Sequence, residues 1–177
     1  MTAAEQRAET ILKRVPKNGI VCEIGIFTAS LSRILLREGL TVYMIDAWSG
    51  VSPQEYKDTG DFHAKMGQEE QDRYYLMTRS IVEKYGDRAK IIRKFSKEAV
   101  KDFPDNFFDL VFIDADHSYE GCKADIQNYF PKVKKGGYIG GHDYENQDFK
   151  FGVTKAVDEL INDPELDLNY TWFKCLP

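Results

Sequence analysis

Cysteine is scarce in this chain of 177 residues: Cys22, Cys122 and Cys175 are odd in number, widely spaced and mostly set among apolar neighbours. A disulfide framework is not expected from this pattern, and reduced thiols in a cytoplasm are. No apolar run is long enough to span a bilayer, and the N-terminus lacks the basic-then-apolar order of a signal peptide. Basic charge is not in excess either. With 24 Lys and Arg against 29 Asp and Glu, the net charge of −5 argues against a nucleic-acid partner, which calls for a clustered basic face. These absences describe a cytoplasmic protein with neither membrane nor nucleic acid as partner.

What remains is an ordinary globular composition, 42% apolar and 30% charged. One domain covering residues 1–177 is expected, burying about two thirds of the surface of the unfolded chain. Thr2 and Glu5 form a capping box ahead of Ala4, Ala8, Ile11, Leu12 and Val15, an amphipathic helix stopped near Pro16. Ile20 to Ile24 reads as a buried strand closed by Gly25, and Leu31, Ile34 and Leu35 as a helix ended at Gly39. Val42 to Ile45 is a second strand ending in Asp46. Strand cores follow at Ile91 and Ile92, and at Leu110 to Ile113 ending in Asp114. A helix from about Tyr119 is expected to bury Cys122, Ile126 and Phe130, and a strand at Tyr138 and Ile139 follows a Gly136–Gly137 turn. Val153, Val157, Leu160 and Ile161 form the next helix, before a last strand near Tyr170 to Cys175. Strand and helix in alternation imply an α/β fold, a Rossmann-like, mostly parallel sheet with helices on both faces. The exception is residues 49–71, polar and interleaved with Tyr56, Phe62, His63 and Met66, which reads as a lid with His63 exposed on it.

In such a sheet the ligand lies outside the carboxyl ends of the strands, so the residues that end strands carry the chemistry. They are Glu23 and Gly25, Asp46, Ser96, then Asp114 with Asp116 and His117, then His142 and Asp143. Asp46 stands 23 residues beyond Glu23, at the end of the next strand, where a carboxylate accepts hydrogen bonds from both hydroxyls of a ribose. An adenosine-containing ligand is expected on that ground; the alternative is that Asp46 caps the turn after it. The Glu23–Ala29 turn lacks the Gly-x-Gly-x-x-Gly spacing that cradles a pyrophosphate, which disfavours NAD and FAD. Tyr119 and Tyr144 are placed equally well in the pocket or against a neighbouring helix.

Three segments together, Ile45-Asp46-Ala47-Trp48-Ser49-Gly50, Ile113 to Gly121 and Gly141-His142-Asp143-Tyr144, resemble the class I S-adenosylmethionine-dependent methyltransferases. The resemblance is closest to their metal-assisted O-methyltransferase branch, methyltransferase family 24, and runs from about Val21 to Trp172. It implies a cofactor pocket formed by Glu23, Gly25, Phe27, Asp46, Ala47, Trp48, Ser96 and Asp114. Within it Glu23 and Gly25 shape the methionine end, Asp46 holds the ribose, and Trp48 and Ser96 lie near the adenine. It also implies a divalent metal, Mg or Mn, on Asp114, His142 and Asp143, with His117 as the base beside Asp114. Two positions depart from the family pattern: Ala29 replaces a third glycine, and His142 replaces a carboxylate, which shifts preference away from Mg²⁺ toward softer divalent ions.

The expected activity is therefore methyl transfer to a hydroxyl of a small molecule or sugar, in a chain able to pair with a second copy of itself. Two rival readings use the same residues. One is a non-haem iron oxygenase on His117, His142 and an acid; the other is a nucleoside-binding module without turnover.

Overall fold

The computed structural model describes residues 1–177, and its first turn follows the sequence directly. The Thr2 hydroxyl accepts the Glu5 N–H at 3.2 Å, and the Glu5 carboxylate accepts the Thr2 N–H at 2.7 Å. Helix α1 (Ala3–Leu12) starts from this box and buries Ala8, Thr10 and Ile11. Strand β1 (Ile20–Ile24), helix α2 (Ser30–Arg37) and strand β2 (Thr41–Asp46) follow. Helices α3 (Gln54–Asp58) and α4 (Gln68–Val82) precede β3 (Ala89–Arg93), and the short α5 (Ser96–Ala99) precedes β4 (Phe108–Ile113). Helix α6 (Tyr119–Tyr129), strand β5 (Val133–Gly141), helix α7 (Val153–Leu160) and strands β6 (Glu165–Asp167) and β7 (Thr171–Cys175) complete the chain.

The sheet order is β3-β2-β1-β4-β5-β7-β6; β1 to β5 are mutually parallel where they pair, and β7 runs antiparallel to β5 and β6. The chain moves outward from β1 to β3, then restarts on the other side of β1 with β4 and β5. Strand order thus reverses between β1 and β4, and a crevice must open above their carboxyl ends.

Both faces of the sheet are covered, which explains why its central strands read as continuous apolar runs. Val21, Val42, Leu110 and Phe112 pack under α1 and α2 with Ala8, Ile11, Leu31 and Leu35. Their strand neighbours Cys22, Val111 and Ile113 point the other way, against Cys122 and Ile126 of α6 and Val153 and Val157 of α7. All three cysteines are free, as expected, with Cys22 and Cys122 buried. No helix is long and apolar enough to cross a membrane.

Four details differ from the sequence reading. Gly136 and Gly137 do not form a turn before the strand; they lie inside β5, where the pairing with β4 shifts register and Gly136 takes a φ of 73°. The buried aromatic at the end of α6 is Tyr129, not Phe130, because the helix tightens into a short 3₁₀ turn there and leaves Phe130 exposed. Strand β6, Glu-Leu-Asp, is too short and exposed to leave a pattern and exists by pairing with β7. Residues 49–71 are folded rather than loose: α3 and a 3₁₀ turn at His63–Lys65 occupy them, and Thr59, Asp61, Ala64 and Met66 are buried.

One contact fixes the crevice. Gly25 has φ +88°, and a Cβ there would stand 2.0 Å from the carbonyl oxygen of Asp114. Only glycine lets the end of β1 pass this close to the end of β4. Gly25→Ala is therefore expected to lower unfolding free energy by roughly 3 kcal/mol, combining left-handed strain with overpacking. Urea denaturation measures it, and a loss below about 1 kcal/mol would show that the two strand ends can separate freely.

Candidate active site

Five parts of the chain deliver charged side chains to the carboxyl edge of the sheet. The ends of β4 and β5 bring Asp114, His117, His142 and Asp143 together, β1 brings Glu23, the segment after α3 brings Asp61, and α1 brings Arg7. Asp114 Oδ1 and Asp143 Oδ2 sit between two imidazoles. His117 Nε2 lies 3.3 Å from the first and 3.1 Å from the second, and His142 Nδ1 lies 3.5 Å and 2.9 Å from the same two atoms. One ligand atom from each of Asp114, His117 and Asp143 falls within 4.8 Å of the others.

Each imidazole is held from behind. His117 Nδ1 donates to Asp61 Oδ2 at 2.7 Å, and its ring stacks on Phe151 at 4.4 Å. His142 Nε2 faces Asn169 Oδ1 at 3.0 Å. Asp61 also accepts from His63 Nδ1 at 2.8 Å and from the Tyr56 hydroxyl at 3.0 Å. The lid is therefore docked on the site, and His63 is not a free surface residue: its ring packs against Phe27 at 4.5 Å. On the far side the Arg7 guanidinium donates to Asp114 Oδ2 at 3.0 Å, with His142 Nδ1 3.5 Å away.

These contacts decide the charges. Burial opposes ionisation of Asp61, Asp114 and Asp143, yet the histidines, and for Asp114 also Arg7, hold all three carboxyls well below the usual range. Burial likewise opposes protonation of the imidazoles, but Asp114, Asp143 and Asp61 raise His117 well above its ordinary value, and Asp114 and Asp143 raise His142 to about 9. Glu23 is the exception: burial outweighs its hydrogen bond from Ser32 and lifts its carboxyl to about 8. At neutral pH three carboxylates thus face Arg7 and two imidazoliums, and Glu23 is protonated. Such a set is electrically balanced, the condition for burying it at all.

Other expected pocket residues are placed as follows. The Asp46 carboxylate accepts three backbone N–H groups, Ile26 at 2.9 Å and Phe27 at 3.1 Å on Oδ2 and Trp48 at 2.7 Å on Oδ1. The Trp48 bond caps the turn after Asp46, as the capping alternative has it, and the other two pin the Glu23–Ala29 turn; about one of the four lone-pair positions is left over. Trp48 is buried, its indole N–H on the Phe27 carbonyl at 3.2 Å and its ring against Tyr75; Ala47 beside it is half-buried. Ser96 donates to Asp125 at 2.5 Å, a buried carboxyl lifted to about 7 by desolvation. Asp116 turns back to accept the Ser118 N–H and leaves the cluster. Tyr119 and Tyr144 reach Glu159 and Asp158 of α7, so both belong to helix packing.

Arg7 and Asp61 were not among the residues expected here. Arg7 had a signal: it falls at the i+3 position of the stripe Ala4, Ala8, Ile11, where a charge needs a buried partner. Asp61 had none, because nothing local distinguishes it from the other acids of a polar segment.

The charge balance gives stability a pH dependence. His142, ordinarily near 6.5 and here about 9, contributes fully below pH 6.5 and loses that contribution as pH rises through 9. Glu23, ordinarily near 4.5 and here about 8, acts in the same direction. The three depressed carboxylates act oppositely, failing as pH falls below about 3.8. The melting temperature is expected to peak near pH 4 to 4.5, to decline first as Glu23 loses its contribution, and to fall further toward pH 9 as His142 does. Thermal unfolding across pH 4 to 9.5 tests this, with His142→Gln flattening the alkaline limb; a melting temperature that rises from pH 6.5 to 9 contradicts it.

Comparison with known proteins places this geometry. Residues 22–144 match the model of a family described as a methyltransferase domain, a span that includes the strand ends from Glu23 to Asp143. The uncharacterized protein y4gI of Sinorhizobium fredii is 27% identical over 118 residues, 67% of this chain and only 12% of that protein. Among solved structures, the O-methyltransferase NovP superposes with a TM-score of 0.62 at 18% identity, covering 98% of this chain and 77% of NovP. The calicheamicin methyltransferase CalS11 gives 0.70 at 13% identity, covering 94% and 76%. An rRNA methylase of Streptococcus thermophilus shares the fold too, with 0.63 at 11% identity over 100% and 98%. With the family model spanning most of its length and the strand order of the sheet in place, the chain belongs to the S-adenosylmethionine-dependent methyltransferases.

Proposed function

We propose that this methyltransferase acts on a hydroxyl group of a small molecule or sugar, with His117 as the base and a divalent cation on Asp114, His142 and Asp143. The observation that carries the reading is the pair of carboxylate oxygens bracketed by two differently supported imidazoles. His142 is backed by the neutral amide of Asn169, which fixes Nε2 as the donor and leaves Nδ1 to act as a ligand once a bound cation has displaced its proton. His117 is backed by the anionic Asp61, which fixes Nδ1 as the donor and stabilises the imidazolium once Nε2 has taken a proton. Two carboxylates and one imidazole suit Mn²⁺, Fe²⁺ or Zn²⁺ better than Mg²⁺. A divalent ion held by Asp114, His142 and Asp143 would lower the pKa of the acceptor hydroxyl and would weaken the hold of those carboxylates on the His117 proton.

The rest is the work of the chain itself. Methyl transfer from a sulfonium to an oxyanion is an in-line displacement in which opposite charges cancel, so dry surroundings favour it. Asp61, Tyr56 and Phe151 close over His117 and exclude water from its ring. The Gly25–Phe27 turn, pinned by Asp46, sets the donor at the reversal point of the sheet. The fold is shared with the O-methyltransferase NovP, which favours transfer to oxygen. RNA methylases share the fold, but the net charge of −5 favours a small acceptor over a polyanion.

Two measurements test this. With radiolabelled donor, label is expected in phenols or sugars and to vanish on chelation; label entering RNA, or undiminished by EDTA, would overturn the acceptor and metal readings respectively. His117→Ala is expected to leave binding of S-adenosylhomocysteine within about threefold and to cut turnover by ~10²- to 10⁴-fold. Unchanged turnover would remove His117 as the base.

A further inference from the structure

Arg7 is not explained by helix packing. It interrupts the apolar stripe of α1, and its side chain is 20% exposed. A cation in that position is costly unless every donor has an acceptor. Only Nη1 is bonded, to Asp114, with His142 Nδ1 3.5 Å away, and Nε is fully buried with no partner. A single contact at a point charge would be served by lysine. A guanidinium offers a planar fork, and unused donors on that fork fit a planar anion held through two parallel hydrogen bonds, a carboxylate above all.

The surroundings narrow the ligand further. Arg7 acts electrostatically on Glu23 at the end of β1 and bonds Asp114 at the end of β4, the two strands between which the order reverses. The donor carries an amino-acid end with one ammonium and one carboxylate. Acidic groups in this corner would meet the ammonium, and Arg7 is the cation nearest them that is not a histidine of the central cluster. We propose that Arg7 binds the α-carboxylate of S-adenosylmethionine and of its product, an assignment that rests on the chain using that donor. α1 is thereby part of the cofactor site, although it lies outside the segment, residues 22–144, that defines the family.

The test compares two ligands by calorimetric titration of the whole chain in EDTA: S-adenosylhomocysteine, and its decarboxylated analogue, which keeps the ammonium and loses the carboxylate. The wild-type chain is expected to bind the analogue about 30-fold more weakly. Arg7→Gln is expected to weaken S-adenosylhomocysteine by a similar ~30-fold and to leave the analogue unchanged or tighter, since Asp114 is then free for the ammonium. Arg7→Lys keeps the charge without the fork and should fall between; it also decides the matter if Arg7→Gln does not fold. Equal weakening of both ligands would make Arg7 a scaffold residue, and unchanged affinity for S-adenosylhomocysteine would remove it from the site. If the wild-type chain bound neither compound, the cofactor reading itself would fall, an outcome distinct from either.

Discussion

The bracketing of Asp114 and Asp143 by His117 and His142 is the interaction on which the other contacts of the site depend. Two carboxylate oxygens this close, removed from water, would repel each other and lose hydration worth several kcal/mol apiece. They are held ionised because cations approach from three directions: His117 beside the end of β4, His142 at the end of β5, and Arg7 across from α1. Each imidazole is then held by something further out, Asp61 behind His117 and Asn169 behind His142. The lid is ordered through Asp61, and the loop between β6 and β7 through Asn169. Segments far apart in sequence are thereby locked to one another at a single charge-balanced point.

Topology makes that point available. Because the chain restarts on the far side of β1 when it lays down β4, the ends of β1 and β4 are neighbours with no connection crossing between them. Gly25 lets the two ends nearly touch, and Asp46, at the end of the adjoining strand, ties the first turn down through three backbone amides. Asp46 therefore acts mechanically, by holding the turn, and has a lone pair left over. Removing it would disturb the backbone as well as any ribose contact.

The parallel sheet was legible because it leaves strong traces: buried strands such as Leu110 to Ile113 are continuous apolar runs, and each ends in an acid or a glycine. The chemistry at those ends was legible for the same reason. What stayed hidden depended on contacts that no local pattern encodes. Arg7 lies over a hundred positions from Asp114, and Asp61 fifty-six from His117. Trp48 and Ser96 stand at strand ends like the others, yet the fold turns Trp48 into the core and Ser96 onto Asp125. Being at the right end of a strand brings a residue near the crevice; only tertiary packing decides whether its side chain faces in.

Strain and unmet hydrogen bonding also separate this edge of the sheet from the other. Of the non-glycine residues in the left-handed region, those that are neither Asn nor Asp are Phe27, Ala29, Trp48, Glu145 and Tyr170, and all follow β1, β2 or β5 or precede the antiparallel β7. Each is therefore at the carboxyl edge, and each costs on the order of 1–2 kcal/mol. The left-handed residues elsewhere, Asn18, Asn106 and Asp163, are types that tolerate the conformation. Buried polar side-chain atoms without a partner follow the same division: Arg7 Nε on Asp114's flank, His63 Nε2 on the lid, and Trp172 Nε1 beside Gly141. A chain selected for stability alone would relieve such costs wherever they arose, on both edges alike. Their confinement to the end where β1, β4 and β5 deliver their acids and imidazoles marks that end as the part of the molecule shaped for something other than its own folding.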